Sequence, residues 1–243
     1  NFNMKLINKS NNQIVFTAEI DESLANAIRR HVNEIPVLGV DEVEILKNDS
    51  AIYDETIAHR IGLIPLKMEK GLNDKSEIDL KLVSNKEGNV VSGELKGKIK
   101  VVYDKMPITN LKKGQEIEII AKAKLGKGNK HSKYSPGAIF YRNMCEIILD
   151  KEFFNEVKKI CPHNEIKEKG DKIIIIDDKK KSVVDVCEGI CESKNKKAET
   201  NYKDELIITI ESFGQLDAKD IFNESIKELE KDLNEVVKKV EKA

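Results

Sequence analysis

The chain has no tryptophan, only 5% aromatic residues, almost no net charge and just four cysteines. Each shortage narrows what it can do. With 42 basic residues against 43 acidic ones, the net charge at pH 7 is −1, so no overall field draws the molecule to a phosphate backbone. Direct sequence-specific binding to nucleic acid is therefore not expected. The cysteines, Cys145, Cys161, Cys187 and Cys191, are too few and too clustered in the later half to staple a secreted domain, which points to an intracellular chain. Residues 1–10 lack the apolar core of a signal peptide, and no run approaches the roughly 18 apolar residues of a membrane span. The expectation is a cytoplasmic protein with no membrane contact.

What is present is enough for a substantial core. Apolar residues make up 40% of the 243 positions and charged residues 35%, so that core lies beneath a surface dense in Lys and Glu. The length suits one large domain or two modest ones. Lys/Glu enrichment with few aromatics and many isoleucines also suits work at raised temperature.

Apolar runs on either side of Lys9-Ser10-Asn11-Asn12 predict a hairpin between Lys5 and Ile20. Asp21 is placed to cap a helix carrying Leu24, Ala25, Ala27, Ile28, Val32 and Ile35 at three- and four-residue spacing, and Pro36 ends it. Val37–Leu46 alternates as a strand. Asp54 is expected to cap a short helix that runs through Arg60 and ends at Gly62. Ile78–Ile120 is strand-like and broken by turn signals, and 126–137 is a polar loop. Tyr141–Leu149 reads as extended and Asp150–Ile160 as helical. The lysine-rich stretch from Cys161 to Tyr202 holds one apolar run, Ile173–Ile176. Leu206–Ile210 then reads as a buried strand and Gly214 as a turn.

From Asp217 a long helix carries Ile221, Phe222, Ile226, Leu229, Leu233, Val236, Val237 and Val240. A stripe that repeats about every three and a half residues over three heptads needs a covering surface, in its own domain or on another chain. No internal repeat is found.

Three segments together resemble the assembly-subunit family of DNA-dependent RNA polymerases, which includes bacterial alpha and the archaeal D subunit. The first is Leu24-Ala25-Asn26-Ala27-Ile28-Arg29-Arg30 with its continuation through Glu34-Ile35-Pro36 to Val40-Asp41-Glu42-Val43. The second is Asp54-Glu55-Thr56-Ile57-Ala58-His59-Arg60-Ile61-Gly62-Leu63-Ile64-Pro65-Leu66, and the third is Ile208–Leu216 leading into the long helix. Gly126–Lys133 is similar to a loop of the archaeal members.

The resemblance implies an α+β fold in which an alpha-like dimerisation domain, residues 1–45 and 203–243, is split by an inserted β-rich domain, 46–152. A small cysteine-bearing insertion, 153–202, would resemble a degenerate ferredoxin-like segment. It further implies a non-catalytic scaffold within a nucleotidyltransferase complex. That scaffold pairs with subunit L, an alpha-like partner, and docks the large polymerase subunits beside other small ones. The implied partner interface is Leu24, Asn26, Ile28, Arg29, Arg30, Val32 and Ile35, with Ile226, Leu229, Leu233 and Val236 of the last helix. Docking of the large subunits falls to Asp54, Glu55, His59 and Arg60. Read simply as a helix face, Leu24, Ile28, Val32 and Ile35 are equally core residues packed on their own sheet.

No catalytic residues are expected. Neither His59 nor His131 stands near a nucleophile or carboxylate at an informative spacing, and no phosphate-cradling glycine loop or Asp-rich magnesium triplet is present. The alternative class is a stand-alone iron-sulfur or zinc-binding redox module built on Cys161, Cys187 and Cys191, with His163 as a fourth ligand for zinc. Cys161-Pro162 and the C-x-x-x-C spacing of Cys187 and Cys191 depart from both ligand patterns, so no cofactor is assigned. Cys145 reads as a small buried residue.

Overall fold

A computed structural model describes residues 3–69, 71–73, 75–160, 166–177 and 183–242. The chain opens with strands β1 (Met4–Lys9) and β2 (Gln13–Ala18), helix α1 (Glu22–His31), strand β3 (Val37–Asn48) and helix α2 (Asp54–Gly62). Six strands follow: β4 (Ile78–Ser84), β5 (Gly88–Val91), β6 (Lys96–Gly97), β7 (Pro107–Leu111), β8 (Ile117–Gly126) and β9 (Gly137–Asp150). Helix α3 (Phe154–Ile160), strands β10 (Ile166–Lys169) and β11 (Lys172–Asp177), helix α4 (Val184–Glu192), strand β12 (Glu199–Ser212) and helix α5 (Ala218–Val240) complete it.

Two compact units emerge. One comprises residues 1–26 and 139–209, the other 27–138 and 210–243.

The second unit is built on the four-stranded sheet β3-β8-β4-β6, with β5 and β7 forming a separate antiparallel pair. Strand β8 shows why the sheet has one dry face. Ile117, Ile119, Ala121 and Ala123 point into the core, while Glu118, Lys122 and Lys124 point outward, as a period of two demands. On the wet face Lys124 bridges Glu42 and Glu77, Lys122 bridges Glu42, and Lys81 bridges Glu118.

Helix α2 packs onto this core through Ile57 and Ile61, one turn apart and both wholly buried among Leu38, Leu66, Leu80 and Ile108. Each contributes about 1.5–3 kcal/mol by leaving water. The helix differs from expectation at both ends. Tyr53 occupies the capping position, and Asp54 is the first helical residue, its Oδ1 accepting from Asn48 Nδ2 at 2.7 Å. Gly62 stays inside the helix, whose last residue is followed by Leu63 in a right-handed conformation. Pro65, rather than the glycine, keeps the helix from resuming.

The α-helical part of α1 also stops earlier than the apolar spacing suggests. It ends at His31, and a tighter 3-10 turn, Val32–Glu34, carries the chain to Ile35, which is extended as a residue before proline must be.

In the first unit a six-stranded sheet runs β1-β2-β12-β9-β11-β10. Strands β9 and β11 pair antiparallel with Ile147 opposite Ile175 and Leu149 opposite Ile173. Those four side chains join Phe153 and Val157 in one cluster, which also takes in Val183, Cys187 and Cys191 from α4 and the residue before it. Among the described residues no helix is long and apolar enough to cross a membrane.

Candidate docking surface

The first two turns of α5 behave as core. Ala218, Ile221 and Ser225 are buried, and the helix packs against the 3-10 turn Val32–Glu34. Its second half does not. Every residue from Lys231 to Val240 is exposed, yet Leu233 is 57% accessible, Val236 57% and Val240 70%. With half-buried Leu229 and exposed Ile226 they form a ridge at three- and four-residue spacing. Val237 widens the ridge, and Lys238 and Lys239 in the final turn complement the negative helix end.

Helix α1 and the turn after it divide their candidate residues. Ile28, Val32 and Ile35 are buried within this chain, Leu24 and Asn26 are half-buried, and Arg29 and Arg30 face solvent. Of this set only the two arginines are exposed.

On α2, Asp54, Glu55, His59 and Arg60 are all exposed. Arg60 is also engaged at home, where its guanidinium donates to the Ile108 carbonyl at 2.8 Å and ties α2 to β7. Beside them stands Tyr53, 80% accessible in a chain poor in aromatics. Sequence reasoning missed it, because an aromatic between Ile52 and Asp54 carries no periodic signal that it points outward.

The polar loop after β8 is firmly seated. The Tyr134 ring lies over two glycines of paired strands, so that a Cβ on Gly39 would come within 2.8 Å of it and one on Gly126 within 2.6 Å. The Tyr134 hydroxyl donates to Asp41 Oδ1 at 3.2 Å. Burial, and then the Asp41 charge, push its pKa up to about 12. Lys133 donates to the Val40 carbonyl at 2.7 Å.

The exposed half of α5, the arginines of α1 and the outer face of α2 are thus all displayed to solvent. Comparison with known proteins agrees with this picture. Residues 43–140 match the model of the RNA polymerase Rpb3/RpoA insert domain. The DNA-directed RNA polymerase subunit Rpo3 of Methanosphaera stadtmanae is 30% identical over 246 residues, covering 90% of this chain and 91% of the relative. The subunit of the same name from Thermococcus kodakarensis is 36% identical over 187 residues, covering 71% and 72% respectively. That of Methanocaldococcus jannaschii is 34% identical over 164 residues, covering 67% and 84%. The chain belongs to the Rpo3 family of DNA-directed RNA polymerase subunits.

Membership in the Rpo3 family puts the cysteines in a different light, since the relatives are named as polymerase subunits and not as redox proteins. Cys161, like His163, lies outside the described residues. Cys187 and Cys191 stand four residues apart on α4, a spacing that brings side chains to one helix face, and that face is turned into the core. Burial, with Asp150 near, raises the Cys191 thiol above its ordinary range, which disfavours the thiolate that metals bind. Among the described residues no three His, Cys, Asp or Glu side chains converge as a metal-holding group. Among the described residues, Cys187 and Cys191 by themselves therefore do not supply the ligand set of an iron-sulfur cluster or a zinc ion.

Proposed function

We propose that this chain is the non-catalytic assembly subunit of a cytoplasmic, archaeal-type RNA polymerase. It pairs with a smaller alpha-like chain, subunit L, through the exposed half of α5, and offers Arg29, Arg30 and the outer face of α2 to the large catalytic subunits. Other small polymerase subunits complete the complex. The observation that carries this reading is the ridge of Leu233, Val236 and Val240, whose apolar side chains remain in water while α5 buries its first turns. A ridge of this kind on an otherwise charged helix is what a second helix covers.

Arg29 and Arg30 suit the second role because both are exposed and the guanidinium fork matches carboxylates and backbone carbonyls. Tyr53 adds a large, stiff contact beside Asp54 and Glu55.

Co-expression with a small alpha-like polymerase subunit, followed by native mass determination, is expected to give a one-to-one complex. A chain that stays monomeric beside that partner would refute the pairing. Arg30→Ala is expected to reduce co-purification with a large subunit while leaving the denaturation midpoint where it was.

A further inference from the structure

Where it becomes exposed, α5 is tied to the rest of its unit over two successive turns. There Lys127 Nζ, from the loop after β8, lies 3.3 Å from Glu34 Oε2 and 3.7 Å from Glu228 Oε2. One turn further along α5, Asp232 Oδ2 meets His31 Nε2 at 3.2 Å, while the other ring nitrogen of His31 is 2.7 Å from the Ala27 carbonyl. Beyond Asp232 every residue to Val240 is exposed.

The loop that brings Lys127 here has little freedom. Asn129 N–H donates to the Asn33 carbonyl at 3.1 Å, and Asn129 Nδ2 donates to Glu34 Oε1 at 2.7 Å. A Cβ on Gly128 would come 2.6 Å from Asn33 Oδ1 and 3.2 Å from Asn33 Cα, so a larger residue here would have to displace the Asn33 side chain. Glu34 is thereby held by a lysine and an amide, and the same lysine reaches Glu228, whose side chain is only 14% accessible. An exposed pair would contribute little. Here the part-buried Glu34 and Glu228 share Lys127, while Glu34 keeps the Asn129 amide and Glu228 keeps Lys231 at 3.7 Å, so removing Lys127 breaks the link between loop and helix at the point where α5 leaves the body of the unit. Burial alone would lower the Lys127 pKa, but the hydrogen bond to Glu34 and the charges of Glu228, Glu34 and Asp232 outweigh it, so the ammonium stays charged.

We propose that Lys127 is a positioning residue for the partner-facing end of α5, fixing the direction of the apolar ridge before the partner arrives. The proposal rests on the reading of α5 as the pairing surface. Its physical content is preorganisation. A helix end already held at residues 228–232 costs the complex less ordering than one free to swing.

The test uses Lys127→Met in the full chain and two measurements. In the chain alone, amide exchange of residues 229–240 is expected to quicken about fivefold while 218–225 stays protected, and added salt, which quickens it in the parent, leaves the variant unchanged. In titration with the alpha-like partner, the dissociation constant is expected to rise about fivefold although no ridge residue has changed. Unchanged exchange at 229–240 overturns the proposal, and so does faster exchange with unaltered pairing. Should Lys127→Met not fold, Glu228→Gln cuts the same tie from the helix side and is read in the same way. If the parent chain does not pair at all, the pairing reading falls, while the exchange measurement still decides whether Lys127 holds the helix.

Discussion

On α4 and the residue before it, Val183, Cys187 and Cys191 recur every four residues, and all are buried. On α5, Leu229, Leu233, Val236 and Val240 recur every three or four, and the last three lie in water. Both stripes state that one face of a helix needs cover, and neither states what supplies it. Length decides between them. Nine residues rise about 14 Å, within reach of a single sheet, whereas the 23 residues of α5 rise about 35 Å and outrun the surface beneath their first turns. A short amphipathic helix closes its own core; a long one that leaves its core behind points to a second chain.

The contrast is easiest to break in α4. Cys187→Asp places a carboxylate at a fully buried site among Phe153, Ile147 and Ile175. It is expected to destabilise the unit by about 4 kcal/mol or more, read as a collapse of the urea midpoint followed by circular dichroism. A stable Cys187→Asp would mean that the stripe of α4 is not core. The matching change in α5, Leu233→Asp, is expected to move stability by less than about 0.5 kcal/mol, because the side chain is already solvated. The same change should weaken pairing with the alpha-like partner at least about 100-fold, near 3 kcal/mol, measured by titration calorimetry. A Leu233→Asp chain that pairs normally would make the two helices alike after all.

Much of this contrast was legible in the sequence, and what was not has physical causes. The opening hairpin, the strand from Val37 and the long last helix all announce themselves, because their periods persist over many residues. Helix α4 did not, for two reasons. Its cysteines are weighed only as candidate metal ligands, whose spacing departs from both ligand patterns, although Val183, Cys187 and Cys191 at i, i+4 and i+8 also make a helix stripe once cysteine counts as a small apolar residue. Its flanks are also rich in lysine and aspartate, which masks a short segment more than a long one. At α2 the miss is local. Asp54 has the composition of a cap, but the backbone turns one residue earlier, and the carboxylate is taken by Asn48. The exposed arginines of α1 were visible as charges, but the burial of Ile28, Val32 and Ile35 in their own chain required the fold, because a helix face reads the same toward a core and toward a partner.

The smallest expected effect concerns how α4 is closed. Asn195 adopts a left-handed conformation (φ 56°), and the Lys196 N–H donates back to the Cys191 carbonyl at 2.9 Å. From there the Lys196 ammonium reaches Asp150 at 2.7 Å and Glu152 at 3.0 Å and lies over the Phe153 ring. The hydrogen bond from Lys196 holds the Asp150 carboxyl below its ordinary range, and the same carboxylates raise Lys196 above its own. Because Asp150 is depressed on folding, its contribution is present above the ordinary carboxylate range and is lost as pH falls through the lowered value. Because Lys196 is raised, its share is present below the ordinary lysine range and is lost as pH climbs through the raised one. Lys196→Met keeps the stem over Phe153 and the backbone closure while removing the charge. The difference in urea midpoint between parent and variant should therefore be small and flat through neutral pH, and shrink at both extremes. All three groups are substantially exposed, so added salt should erase the difference, as it would not for a tie made through the core. A difference that survives both acid and salt would show that the ammonium holds α4 by packing on Phe153 rather than by charge.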